Sequence, residues 1–127
     1  MDSMSRTPEQ VVRDFCAAWS RLDIDELMTY FADDAVYHNM PTEPLKGRDV
    51  IRAGIQQFTA NWERTEWEIV EMASNGNVVF AERVDRIDAG GRHLDLPVTG
   101  VFVLEGEQIK EWRDYFDIGT YMRALVE

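Results

Sequence analysis

One cysteine, Cys16, occurs in 127 residues, so no internal disulfide is possible and the thiol usage fits a reducing compartment, the cytoplasm. Only two histidines, His38 and His93, are present; they lie far apart in sequence, and no metal-site spacing surrounds them. There is no glycine-rich phosphate loop, and neither Cys16 nor any hydroxyl sits in a nucleophile motif. No apolar run approaches the ~20 residues of a membrane-spanning helix, and no signal peptide opens the chain. Basic residues are scarce, 13 Lys and Arg against 24 Asp and Glu, and the formal charge of −11 repels phosphate backbones. Nucleic acid and membrane are thereby excluded as partners. What is there is globular in kind: 45% hydrophobic residues and four tryptophans. A chain of this length buries roughly two-thirds of its unfolded surface around one core. The expectation is a single soluble, acidic, cytoplasmic domain over residues 7–127, preceded by a flexible leader over residues 1–6.

Thr7-Pro8-Glu9-Gln10 opens a helix, with Thr7 as cap, Pro8 at the first helical position and Gln10 completing a capping box. Val11, Phe15, Ala18 (or Trp19) and Leu22 follow at helical spacing. A second short helix starts at Asp23, capped with Glu26, and buries Leu27, Met28 and Phe31. Residues 35–40 alternate as a strand that Pro41 and Pro44 terminate. A third helix follows Gly47, with Ile51, Ile55, Phe58 and Trp62 on one face. Residues 65–73, 78–88, 92–104 and 108–116 then read as strands joined by short turns rich in Gly and Asn, which implies antiparallel neighbours. A last helix from Ile118 buries Tyr121 (or Met122) and Leu125. Helices segregated onto one face of a curved, mostly antiparallel sheet make an α+β domain, and the bend leaves a cone-shaped pocket for a small molecule.

Strand alternation puts polar groups where apolar ones are expected. Side chains two apart share a face, so Tyr37 and Asn39 point together, opposite Val36, His38 and Met40. Arg83 and Asp85 share a face with Val79, Ala81 and Ile87, and Asp114 shares one with Trp112 and Phe116. Buried charges cost several kcal/mol each unless paired, so these groups must find one another. The planar fork of Arg83 can hold a carboxylate on either side, and the trio is neutral if one aspartate keeps its proton. Coupled carboxylates in a dry pocket titrate in separate steps and so supply an acid and a base together. A structural ion network that fixes strand register has the same residue pattern, and spacing leaves both readings open.

Three segments, Tyr37-His38-Asn39-Met40-Pro41, Glu82-Arg83-Val84-Asp85 and Trp112-Arg113-Asp114-Tyr115-Phe116-Asp117, with Gly100-Val101-Phe102 between the last two, resemble the limonene-1,2-epoxide hydrolases. The resemblance covers nearly the whole chain. It implies a cone-shaped α+β fold shared with ketosteroid isomerase and nuclear transport factor, and the hydrolysis of a small, apolar, cyclic or terpenoid epoxide to a vicinal diol. It further implies roles: Asp114 as general base, Tyr37 and Asn39 as holders of the attacking water, Asp85 as proton donor, and Arg83 as the link between the carboxylates. No metal or organic cofactor is called for, the partners being the epoxide and water. Met40, Ile87, Leu96, Val98, Trp112 and Phe116 are expected to wall the substrate pocket. The resemblance also implies a homodimer across the outer sheet face, where Val101, Val103 and Tyr115 gather. Because the scaffold hosts many chemistries, an epoxide-opening cyclase or isomerase and a non-enzymatic ligand-binding module remain as alternatives.

Overall fold

The structure is a computed structural model, and it describes residues 5–127. Helix α1 (Pro8–Ala18) starts where the capping box places it. Thr7 Oγ1 accepts from the Gln10 amide at 3.2 Å, and the Gln10 side chain accepts from the Thr7 amide at 2.8 Å. A 3₁₀ turn (Trp19–Arg21) ends at Leu22, whose positive φ of 49° turns the chain. Helix α2 (Ile24–Met28) is capped by Asp23, which accepts from the Glu26 amide. Then follow β1 (Phe31–Asn39), β2 (Leu45–Lys46), α3 (Arg48–Phe58), β3 (Trp62–Asn75), β4 (Val78–Ala89), β5 (Arg92–Glu105), β6 (Gln108–Tyr115) and α4 (Ile118–Leu125).

The six strands form one sheet in the order β2-β1-β6-β5-β4-β3. All neighbours are antiparallel except β1 and β6, which run parallel in the middle of the sheet. Register shifts in β1, β3 and β5 add local twist, so the sheet curls around the helices. Its concave face carries a large aromatic core under α1, built on Phe15, Trp19, Phe31, Phe102 and Trp112. A smaller cluster of Ile87, Leu94, Leu96 and Val98 packs under α4. The domain is therefore α+β, with helices on one face of a curved sheet.

Several boundaries differ from the sequence-based expectation. Strand β1 begins at Phe31, four residues early, because the Tyr30 carbonyl accepts from the Ile109 amide at 2.7 Å and draws this segment into the sheet. Phe31 is buried, but as a strand residue. Trp62 opens β3, paired with Ala89, rather than extending α3. The short β2 was not foreseen. Helix α4 is amphipathic yet fully buries no residue; Tyr121 and Leu125 pack only partly against the second cluster. Of the expected leader, residues 1–4 lie outside the described residues. Arg6 pairs with Glu107 at 2.8 Å and Asp14 at 3.0 Å.

Candidate active site

The parallel pairing of β1 with β6 sets Tyr37 beside Trp112 and Asn39 beside Asp114. Arg83 and Asp85 come from β4, with β5 between them and β6. Across that gap the register matches Arg83 with Val98 and Asp114 with Gly100. Gly100 has no side chain, and this lets the guanidinium cross to Asp114. A Cβ there would lie 2.6 Å from Arg83 Nη1 and 2.7 Å from Asp114 Oδ1.

Arg83 grips both carboxylates. Its Nε and Nη2 donate to Asp85 Oδ1 and Oδ2 at 2.9 Å each, and Nη1 and Nη2 donate to Asp114 Oδ1 and Oδ2 at 3.0 and 2.7 Å. The Trp112 indole adds a third donor to the Asp114 carboxylate, reaching Oδ1 at 2.6 Å. The Arg83 side chain is 0% exposed, and those of Asp85 and Asp114 are 6% and 5% exposed. Two bidentate pairs in such a dry place are strong and geometrically rigid.

Burial pushes the Asp85 carboxyl above the usual range against the pull of Arg83, and repulsion from Asp114 reinforces the rise. Burial also works against the Arg83 charge, but Asp114 and Asp85 together outweigh it and keep the guanidinium protonated. The Tyr37 phenol is pushed well up, first by burial and then by the nearby Asp114. It stays a neutral donor, with the Asn39 amide in hydrogen-bonding reach. Burial raises the Cys16 thiol to about 12, which removes it as a nucleophile.

A family model, described as the limonene-1,2-epoxide hydrolase catalytic domain, matches residues 6–127. The chain belongs to the limonene-1,2-epoxide hydrolase family. Among its relatives is the epoxide hydrolase EphG of Mycobacterium tuberculosis, 27% identical over 91% of this chain and 76% of that protein. The solved structure of an LEH-like epoxide hydrolase from M. tuberculosis is 25% identical and superposes with a TM-score of 0.82 over 97% of this chain and 92% of that one. An NTF2-like protein of unknown function from Burkholderia pseudomallei, 20% identical, shares the fold at a TM-score of 0.84 over 94% of this chain and 98% of the other. Membership of the limonene-1,2-epoxide hydrolase family makes epoxide hydrolysis the activity of this chain.

In this family member a cavity of about 220 Å³ opens onto the trio. Tyr37, Asn39, Asp85 and Asp114 line it, while Arg83 lies behind the two carboxylates. Of the expected wall residues, Ile87, Leu96, Val98 and Phe116 face it. Met40 and Trp112 do not. Met40 follows Asn39 on the alternate face of the chain, and its amide donates to the Asp114 carbonyl at 2.9 Å. Trp112 is fully buried behind Tyr37, the two rings stacked at 4.0 Å and 6°. It supports the site rather than walling the cavity. Phe58, Trp62, Trp67, Thr42, Ile118 and Tyr121 complete the lining and were missed. For Trp67 a signal existed, since Thr65, Trp67 and Ile69 alternate in β3. Which strand that face would meet depends on a register that local pattern does not carry.

Proposed function

We propose that the chain hydrolyses a small, mostly apolar, cyclic or terpenoid epoxide to a vicinal diol in one step, by direct attack of an activated water. The observation that carries this reading is one buried arginine gripping two carboxylates at the base of a mostly apolar cavity. Asp114, with three N–H donors on its carboxylate, takes a proton from water that Tyr37 and Asn39 orient. The water oxygen bonds to one ring carbon as the C–O bond to that carbon breaks. Asp85 gives its proton to the departing oxygen, which would otherwise leave as a poor alkoxide. Arg83 keeps the two carboxyls at fixed separation and opposes their repulsion. After release of the diol, a proton passes from Asp114 to Asp85 to restore the starting state. Each positioned acid or base contributes about 10²–10⁴-fold, and alignment of the water adds a proximity effect. These residues perform every proton transfer, so no metal or organic cofactor enters the reaction.

The physiological form is proposed to be a cytoplasmic homodimer joined across the outer sheet face. Ala73, Phe80 and Val101 meet there in cross-strand register, and Phe80 is 43% exposed.

Incubating the protein with limonene oxide or cyclohexene oxide in heavy-oxygen water under single-turnover conditions tests the mechanism. Diol carrying the solvent label is the expected product. Oxygen derived from the protein would replace the one-step route with a covalent ester. Absence of diol across a panel of epoxides would favour a ligand-binding module.

A further inference from the structure

Trp67 touches the acid–base cluster without being able to give or take its proton. The β3–β4 register sets it directly across from Asp85, where opposed side chains lie about 4.5–5.5 Å apart at Cβ. Its ring is held on several sides. Trp19 stacks on it at 4.2 Å and 12°, and the Arg83 guanidinium carbon sits over it at 4.5 Å. Its Nε1 donates to Thr65 Oγ1 at 3.0 Å, and the buried Thr65 hydroxyl donates in turn to the Arg86 carbonyl at 2.8 Å. The ring is only 9% exposed, yet part of it lines the cavity.

We propose that Trp67 is the positioning residue for proton donation: pinned between Trp19 and Arg83, its indole walls Asp85 from solvent and so keeps that carboxyl in its protonated form. The inference rests on the reading of Asp85 as the acid. An ionised Asp85 would need water beside it, and the indole occupies ground from which water would approach. The neutral acid has no such need. A carboxyl kept protonated in a pocket against tryptophan has precedent in the acid of lysozyme.

The groups facing Asp85 from the elements around it leave this wall a decisive part. On β4, Arg83 favours ionisation; on β6, Asp114 opposes it. Tyr37 on β1 and Cys16 on α1 are both held neutral by burial. From β5 comes apolar Leu96, from β3 Thr65, Trp67 and Ile69, and from α4 the phenol of Tyr121 at the cavity wall. With two charges pulling in opposite directions, access of water sets the balance.

The test is the pH profile of kcat for cyclohexene oxide in wild type, Trp67→Leu and Trp67→Phe. Loss of the protonated acid should appear as the alkaline limb. In Trp67→Leu that limb should move toward lower pH by about one unit or more, and in Trp67→Phe it should return most of the way. A tryptophan that merely fills space would lower the melting temperature and the plateau rate with the limb in place, and that result overturns the proposal. If Trp67→Leu fails to fold, Thr65→Val removes the indole's acceptor while keeping the ring. A smaller shift in the same direction supports the proposal, and an unmoved limb overturns it. Asp85→Asn separates the two levels. Retained turnover in that variant would remove the acid assignment itself, whereas an inactive Asp85→Asn beside an unmoved limb in Trp67→Leu removes only the role of Trp67.

Discussion

Replacing Gly100 by alanine isolates the device that lets two non-adjacent strands share one ion cluster. The added methyl would fall 2.6 Å from Arg83 Nη1, 2.7 Å from Asp114 Oδ1 and 3.0 Å from Phe102 Cε1. Neither polar atom is the free end of a flexible chain. Arg83 is held by four hydrogen bonds and Asp114 by three. To reach ordinary contact each must retreat by roughly 0.8 Å or more. Overpacking of this kind costs about 1–3 kcal/mol. Glycine in a strand forgoes about 0.5–1 kcal/mol relative to alanine, which offsets part of that cost. The net loss is therefore at most about 2.5 kcal/mol, a fall in melting temperature of up to about 10 °C. Rate should suffer more, since a misplacement near 1 Å can cost about 10²-fold. Differential scanning calorimetry and steady-state kinetics on cyclohexene oxide measure both. A Gly100→Ala protein with wild-type stability and kcat would refute the claim that the glycine gap is what lets Arg83 reach Asp114.

Asp114→Asn and Asp85→Asn should each lower kcat by about 10²–10⁴-fold or more, while circular dichroism and thermal unfolding show a retained fold. Each variant leaves Arg83 one carboxylate partner, so no unpaired charge is buried; near-full activity in either would void that residue's role. His93, bridging Asp88 at 2.5 Å and Asp95 at 2.7 Å, should titrate above the ordinary histidine value by NMR, since both carboxylates favour its charged form. The stability it adds is fully present below the ordinary value and is lost as pH rises through the raised one, and Asp88→Asn should bring the titration back down. Phe80→Asp should convert a dimer to monomers in sedimentation experiments without unfolding the chain, because Phe80 is exposed in the isolated domain; a monomeric wild type would discard the proposed interface.

The face of each strand could be read from residue alternation, because period two leaves no freedom once one residue is placed. Ala81, Arg83, Asp85 and Ile87 all point inward as that rule requires. The capping box at Thr7 and the Asp23 cap were equally local and equally legible. Pairing was another matter. That Arg83 would reach Asp114 across β5 depends on Gly100 falling opposite Asp114, and that Trp67 would stand across from Asp85 depends on a β3–β4 ladder with two register shifts. Neither can be counted from turn lengths. Met40 and Trp112 stand outside the cavity lining: alternation already turns Met40 away from Asn39, and for Trp112, on the Asp114 face, the motif gives the face but not the depth. The Trp112 side chain instead meets Phe15, Tyr37 and Phe102 behind the site. Trp62 fits the helical spacing of α3 yet opens β3, because the helix ends at Phe58, where the Thr59 hydroxyl donates to the Ile55 carbonyl at 2.7 Å.

The parallel contact between β1 and β6 has a consequence in time. Strand β6 lies between β1 and β5, so the sheet cannot close until residues 108–115 have been made and docked. Before then the chain carries a β3–β4–β5 meander on one side and β1 with β2 on the other, each with an open edge. The step that joins them also sets Asn39 beside Asp114 and Tyr37 beside Trp112. Contacts so distant in sequence are slow to form. Closure of the sheet and completion of the site thus depend on the same strand, and a nascent chain stopped short of β6 holds Arg83 and Asp85 with no second carboxylate to share.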